Sequence, residues 1–287
     1  MDVLLLFDYL PQTLRNIAYR MPREFRVRGE EIRLRSGMPV VAYMDGTLFK
    51  VKENGSLSED GGFTVTKEMM DSCFDRFTKM SPYAFTREIS EGYITVEGGH
   101  RIGLCGKKSG DGIREITSVN LRIARSITGC SDGVYKQLVP FENTLVISPP
   151  GVGKTTLLRD IARKLSDSGL KVGICDERCE IAGCFKGELS HDVGLNTDVL
   201  SGFSVLDGTM MLLRTMSPQI IVADEIGSED DFNALCAMTK AGVKVLASVH
   251  GRDKEDVTKR IGNITDFFKK FVVIEKTGGV RNVRMDS

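Results

Sequence analysis

Residues 148–156 (SPPGVGKTT) bring together two glycines, a lysine and two threonines at a spacing suited to holding a phosphate chain. Backbone N–H groups of such a loop and of the helix that follows point together at an anion, and the helix dipole favours negative charge there. Pro150, Gly151, Val152, Gly153, Lys154, Thr155 and Thr156 are therefore the expected nucleotide-binding residues. Lys154 adds a point charge for the β- and γ-phosphates of ATP, and Thr155 a hydroxyl for Mg²⁺. The pattern departs from G-x-x-x-x-G-K-[ST] at its first position, where Ser148 replaces glycine. A residue before proline favours the extended region, where a Cβ is tolerated.

Three further groups could join this chemistry. An apolar run, 219–223, ends on Asp224 and Glu225. Adjacent carboxylates at the end of a buried strand are costly unless a cation or hydrogen bonds compensate. Asp224 is placed to hold Mg²⁺, and Glu225 to orient or deprotonate an attacking water. A second apolar run, 243–249, ends on His250, a candidate sensor of the γ-phosphate. A third candidate is the charged stretch Asp176–Glu180 (DERCE), where Glu177 can reach the metal or the water and Arg178 can pair with phosphate or carboxylate.

These residues need a scaffold that aims them at one point. From 144 onward the pattern alternates apolar strand and amphipathic helix, as a parallel α/β sheet requires. Strands are predicted at 144–148, 171–175, 219–224, 243–249 and 271–275, and helices at 154–167, 203–216, 229–241 and 253–263. In such a sheet ligands bind at the carboxyl ends of the strands, where the loop, Asp224, Glu225, His250 and Asp176–Glu180 all fall. The first half reads as α+β. One helix face is Leu10, Leu14, Ile17, Ala18 and Met21, and another is Met69, Met70, Cys73, Phe74 and Phe77. A hairpin is expected at Asp45-Gly46, flanked by 40–44 and 47–51, and a second around Gly98-Gly99. In Leu121–Arg125 the two arginines should share one side of a strand. Gly103–Gly106 resembles the GXXG loop of a KH domain but ends a strand instead of joining helices, so it is discounted. The linker falls near 126–142, giving an α+β domain at 1–135 and a P-loop domain at 136–287.

The composition narrows the class. Lysine plus arginine equals aspartate plus glutamate at 39 each, so there is no overall basic field for nucleic acid. No apolar run is long enough to span a membrane, and residues 1–8 lack the parts of a signal peptide. Seven scattered cysteines suit reduced thiols in the cytoplasm. Cys175, Cys179 and Cys184 lack the paired spacing of a zinc site.

Taken together, SPPGVGKTTLLRD, DERCEIAG, MLLRTMSPQIIVADEIG and GGHRIGLCGKK with LRIAR resemble the RecA-like secretion ATPase superfamily of type II and type IV secretion. Within it, the chain looks similar to the stage III sporulation AA family of spore-forming Firmicutes over nearly its full length. The resemblance implies a Walker A motif, an acidic box, a Walker B motif and a histidine box at 148–156, 176–180, 220–225 and 248–250. It further implies Mg²⁺-dependent ATP hydrolysis in a ring, expected to be a hexamer. Such a ring would sit on the cytoplasmic face of a membrane channel complex in the mother cell, with membrane proteins as partners and no nucleic acid. An arginine from the N-terminal domain or a neighbouring subunit should complete the site, and Arg101, Arg122, Arg125, Arg178 and Arg214 are the candidates. The alternatives are a nucleic-acid-stimulated RecA-like motor or loader and a nucleotide switch without turnover.

Overall fold

The computed structural model describes residues 3–79, 85–109, 112–125, 127–277 and 280–286. The chain divides into two units, Met1–Arg125 with Phe185–Ser190, and Ser126–Cys184 with His191–Ser287. Ser126, at the start of the expected linker, lies outside the described residues.

The first unit begins with three short helices, α1 (Leu4–Phe7), α2 (Gln12–Tyr19) and α3 (Arg23–Arg28). Next come β1 (Gly29–Arg35), β2 (Val41–Met44), β3 (Thr47–Val51) and β4 (Leu57–Ser58). Helices α4 (Lys67–Phe77) and α5 (Thr86–Glu91) lead to β5 (Tyr93–Val96), β6 (His100–Ser109) and β7 (Gly112–Arg122). The strands form an antiparallel sheet in the order β4-β3-β2-β1-β7-β6-β5. The β2–β3 turn is made by Asp45 and Gly46 at φ 52° and 74°. Two successive positive φ values give the turn whose twist matches a hairpin. Ile32 and Leu34 on β1 are buried with Phe25, Met70, Cys73 and Phe77 in this unit's core. Glu31, Arg33 and Arg35 alternate to the other face, as the period of two requires.

The second unit contains α6 (Asp132–Leu138), β8 (Thr144–Ser148), α7 (Lys154–Asp167) and β9 (Val172–Asp176). A small ribbon, β10 (Cys184–Phe185) and β11 (Glu188–Leu189), precedes β12 (Thr197–Ser201). Then follow α8 (Val205–Met216), β13 (Ile220–Ala223), α9 (Glu229–Lys240), β14 (Lys244–His250) and α10 (Lys254–Ile261). The last strands are β15 (Lys270–Thr277) and β16 (Val280–Asp286). The sheet order is β12-β9-β13-β14-β8-β15-β16, parallel throughout except for β16. Strands β8, β9 and β13 are buried at every residue because helices cover both faces. Leu145 and Ile147 point into the core shared with α8 to α10, while Val146 points into the core shared with α6 and α7.

Helix starts are set by side-chain caps. Ser204 accepts from the N–H of Asp207, and Asp253 from that of Asp256. Ser228 and Asp231 form a reciprocal capping box at α9. Strands β12 and β16 were not anticipated from the sequence. Both lie at sheet edges, where one-sided burial leaves a short, polar and weakly alternating pattern (TDVLS and VRNVRMD). Arg125 also departs from expectation: β7 ends at Arg122, so the two arginines do not share a strand face. The Arg125 guanidinium turns back instead to donate to the carbonyls of Gly29 and Arg26.

Candidate functional site

β8 ends on Ser148, and the chain enters α7 through a glycine-rich loop. Gly151 and Gly153 stand at φ 75° and 86°, a region glycine enters without a Cβ clash. Gly153 caps α7, its carbonyl accepting from the N–H of Leu157 at 3.1 Å. The first N–H groups of the helix have no intrahelical acceptor, and those of Lys154, Thr155 and Thr156 are among them.

Lys154 is only 7% exposed, and burial pulls its ammonium below the usual lysine range against the opposing pull of Asp224 and Glu225. The Thr155 hydroxyl donates to Asp224 Oδ1 at 3.2 Å. Asp224 follows β13 and is 6% exposed. Burial first, then the nearby charge of Asp176, pushes its carboxyl up to about 6. A threonine from α7 and the carboxylate that follows β13 thus meet although β8 and β13 are not neighbours, with the Lys154 charge felt nearby.

The strand between them is β14, and it sets the place of His250. Its last residue, His250, is in register with Ser148 of β8. The imidazole Nδ1 lies 3.4 Å from the Ser148 carbonyl oxygen, and Nε2 lies 3.8 Å from Glu225 Oε2. The same Glu225 oxygen accepts from Arg178 at 3.1 Å. A bridge of Arg178, Glu225 and His250 therefore crosses the carboxyl ends of β9, β13 and β14. Glu177, Arg178, Asp224, Glu225 and Asp231 line the cleft beside it.

Asp176 has a different task from the residues after it. It is fully buried, and its two oxygens accept the N–H groups of Glu180, Ile181 and Ala182 at 2.8, 3.1 and 2.9 Å. Arg159 of α7 donates to the carbonyls of Glu180 and Ile181 from the other side. Burial holds this guanidinium down at about 10, against the charge of Asp176. The 176–182 loop is thereby fixed, with Glu177 and Arg178 exposed at its rim. Burial, and next the charge of Glu177, pushes the Cys175 thiol up to about 12, as for an inert core thiol.

Among the described residues, no group of three or more His, Cys, Asp or Glu is arranged to hold a metal. The donors that are present fit an ion taking most of its ligands from phosphate and water, as Mg²⁺ does. They are a buried carboxylate with a raised pKa, a threonine hydroxyl touching it and a buried ammonium alongside. Thr155 and Asp224 would hold the ion, which would supply neutralisation of the phosphate oxygens.

Two residues near the loop escaped the sequence reading. Arg281 on β16 donates to the Gly153 carbonyl at 3.4 Å, and Cys130 Sγ lies 3.5 Å from the Thr156 carbonyl oxygen. Neither carries a motif, and Arg281 reaches the loop only through the order of strands. Of the candidate completing arginines, Arg101 and Arg122 face each other across β6 and β7, and Arg101 stacks on Tyr93 at 3.8 Å. Arg214 lies in the last turn of α8.

A parallel sheet in this strand order, with a glycine-rich loop after one strand and paired acids after another, is a RecA-like P-loop fold, and solved motor and secretion ATPases share it. The pilus retraction motor PilT, solved with bound ADP, matches 99% of this chain and 82% of its own at a TM-score of 0.64 and 14% identity. The ATPase DotB of Legionella pneumophila matches 91% of this chain and 77% of its own at a TM-score of 0.58 and 17% identity. At such identities the likeness is one of fold. The chain belongs to the family Sporulation stage III, protein AA, which matches residues 6–285. It is 38% identical over 266 residues to Stage III sporulation protein AA of Bacillus subtilis (strain 168), across 88% of this chain and 83% of that protein. No helix among the described residues is long and apolar enough to cross a membrane.

Proposed function

We propose that this protein is a Mg²⁺-dependent ATPase that works as a ring, a hexamer, to power or gate a membrane channel complex during sporulation. The observation that carries the reading is the meeting of Lys154, Thr155 and Asp224 at the glycine-rich loop, with Glu225 one residue on. Lys154 and the loop N–H groups hold the phosphates, and Thr155 with Asp224 holds Mg²⁺. Glu225 orients and deprotonates the attacking water, His250 reports the γ-phosphate, and Glu177 assists at the rim of the cleft. Phosphoryl transfer needs positioning and charge neutralisation more than covalent help from the protein, and this set supplies both.

Arg101 and Arg122, which face each other across β6 and β7, remain candidates to complete a neighbouring subunit's site. Arg125 is excluded because its guanidinium is engaged with carbonyls of its own unit. The sporulation family and the secretion-ATPase fold support recruitment to the cytoplasmic face of a membrane through protein partners, not through nucleic acid. The test is Mg²⁺-dependent phosphate release by the wild type and Glu225→Gln, with particle size measured with and without ATP. We expect hydrolysis to be lost in Glu225→Gln, with ATP retained in a larger assembly. A wild type that binds ATP but releases no phosphate in any assembly would leave a nucleotide switch as the better account.

A further inference from the structure

We propose that Arg281 grips the α-phosphate end of the nucleotide bound in its own subunit, an assignment that rests on the ATP-binding reading above. The sheet order is the starting point. β8, which delivers the glycine-rich loop, lies between β14 on one side and β15 with β16 on the other. The carboxylates and His250 all belong to the β14 side. A phosphate chain whose metal-bound end lies toward Thr155 and Asp224 must leave the loop toward β15 and β16.

Arg281 waits on that side. Its Nη2 donates to the Gly153 carbonyl at 3.4 Å, and its Nε and Cζ lie 3.5 and 3.6 Å from where a Cβ on Gly153 would stand. The guanidinium therefore lies flat against the bare face of this glycine while remaining solvent-exposed. Strand alternation aims it there: Val283 and Met285, on the same face of β16, pack into the core shared with α6 and α7. The neighbouring wall is held rigidly. Asp160 of α7 accepts from the N–H groups of Gly129 and Ser131 at 3.0 and 2.9 Å, which pins Cys130 against Thr156. Arg281, Cys130 and Thr156 thus converge on the first turn of α7.

Charge points the same way. Arg284, three residues on, is neutralised by Glu275 and Asp286 at 3.1 Å each. Among the described residues, Arg281 lies against a carbonyl, that of Gly153, and a thiol, that of Cys130. Of its five N–H donors, several remain for an anion, and a guanidinium fork suits phosphate better than an ammonium does.

The test is calorimetric binding of ADP and of inorganic phosphate, each with Mg²⁺, to the full chain and to Arg281→Ala and Arg281→Lys. A single phosphate engages the loop and Lys154 but places nothing at the α position. We expect Arg281→Ala to weaken ADP about tenfold, as for loss of a hydrogen bond to a charged group. Inorganic phosphate should stay within about twofold, and Arg281→Lys should recover part of the ADP affinity. Unchanged ADP affinity in Arg281→Ala would overturn the assignment. So would an equal loss for ADP and inorganic phosphate, which would make Arg281 a shaper of the loop through Gly153. A wild type that binds neither ligand would sink the ATP reading itself, an outcome distinct from either.

Discussion

Replacing Asp160 by asparagine should be among the most damaging single changes in the second unit, although Asp160 reaches no phosphate. Its side chain is 2% exposed. It accepts from the N–H of Gly129, from the N–H and hydroxyl of Ser131 at 2.9 and 2.6 Å, and from Arg163 at 2.9 Å. Burial alone would raise its pKa, but the Ser131 hydroxyl, the two backbone N–H groups and Arg163 outweigh burial and bring it down to about 2 from 3.8. That depression corresponds to about 2.5 kcal/mol of stability carried by the charge. Asparagine also turns one acceptor into a donor and leaves a buried N–H at 129 or 131 unpaired, worth a further 1–2 kcal/mol or so. The expected loss is about 3–4 kcal/mol, or roughly 10 °C in Tm for a unit of this size. The assay is denaturant unfolding of wild type and Asp160→Asn across pH 7 to 3. A depressed acid contributes fully above its unfolded pKa, and the contribution fades as pH falls toward its folded pKa. The gap should therefore hold constant down to about pH 5 and lose about half of its charge-dependent part by pH 3. A gap under about 1 kcal/mol, or one that ignores pH, would refute the reasoning.

Asp224→Asn should act in the opposite direction in the metal-free protein. Its folded pKa, raised to about 6, makes the ionised form a burden that grows as pH rises from 3.8 to 6. With chelator at pH 7 the variant should be more stable by up to about 3 kcal/mol, an advantage that shrinks toward pH 4, and denaturant midpoints will show it. Gly153→Ala places a Cβ at φ 86° and should cost about 1 kcal/mol or more in thermal unfolding; an unchanged Tm would argue against the left-handed turn. Arg178→Ala removes an ion pair whose arginine is 54% exposed, so stability should move by less than about 0.5 kcal/mol. A larger fall would show that the bridge to Glu225 is structural.

Much of the central architecture was legible because its signals are local. The helix expected at 154–167 forms over those residues, and the strand at 144–148 forms likewise. Fully buried strands announce themselves as continuous apolar runs, and Asp45-Gly46 announces its turn through backbone preference alone. The meeting of Lys154, Thr155 and Asp224 was readable because each stands at the carboxyl end of a strand or the start of the next helix. What stayed hidden depends on neighbours distant in the chain. Arg281 meets Gly153 only because β16 pairs with β15 and β15 with β8. Asp160 reads as one more polar residue on an amphipathic helix until the 129–131 segment folds onto it. The end of β7 at Arg122 could not be read, since the carbonyls that capture Arg125 lie at Arg26 and Gly29.

The place of β8 also governs when the molecule can become competent during its own synthesis. Its hydrogen-bonded partners on both sides, β14 and β15, are made roughly a hundred residues later, so both pairings carry a heavy loop-closure cost. A nascent chain that has emerged through α9 already holds the glycine-rich loop, Asp224 and Glu225, yet β8 has neither neighbour. Until β14 and β15 arrive, a strand that the folded protein buries at every residue is left with bare edges, which is the condition that invites pairing with another chain. Assembly of the sheet centre therefore waits on β14 and β15, and conditions that slow translation between α9 and β15 should expose this protein to aggregation.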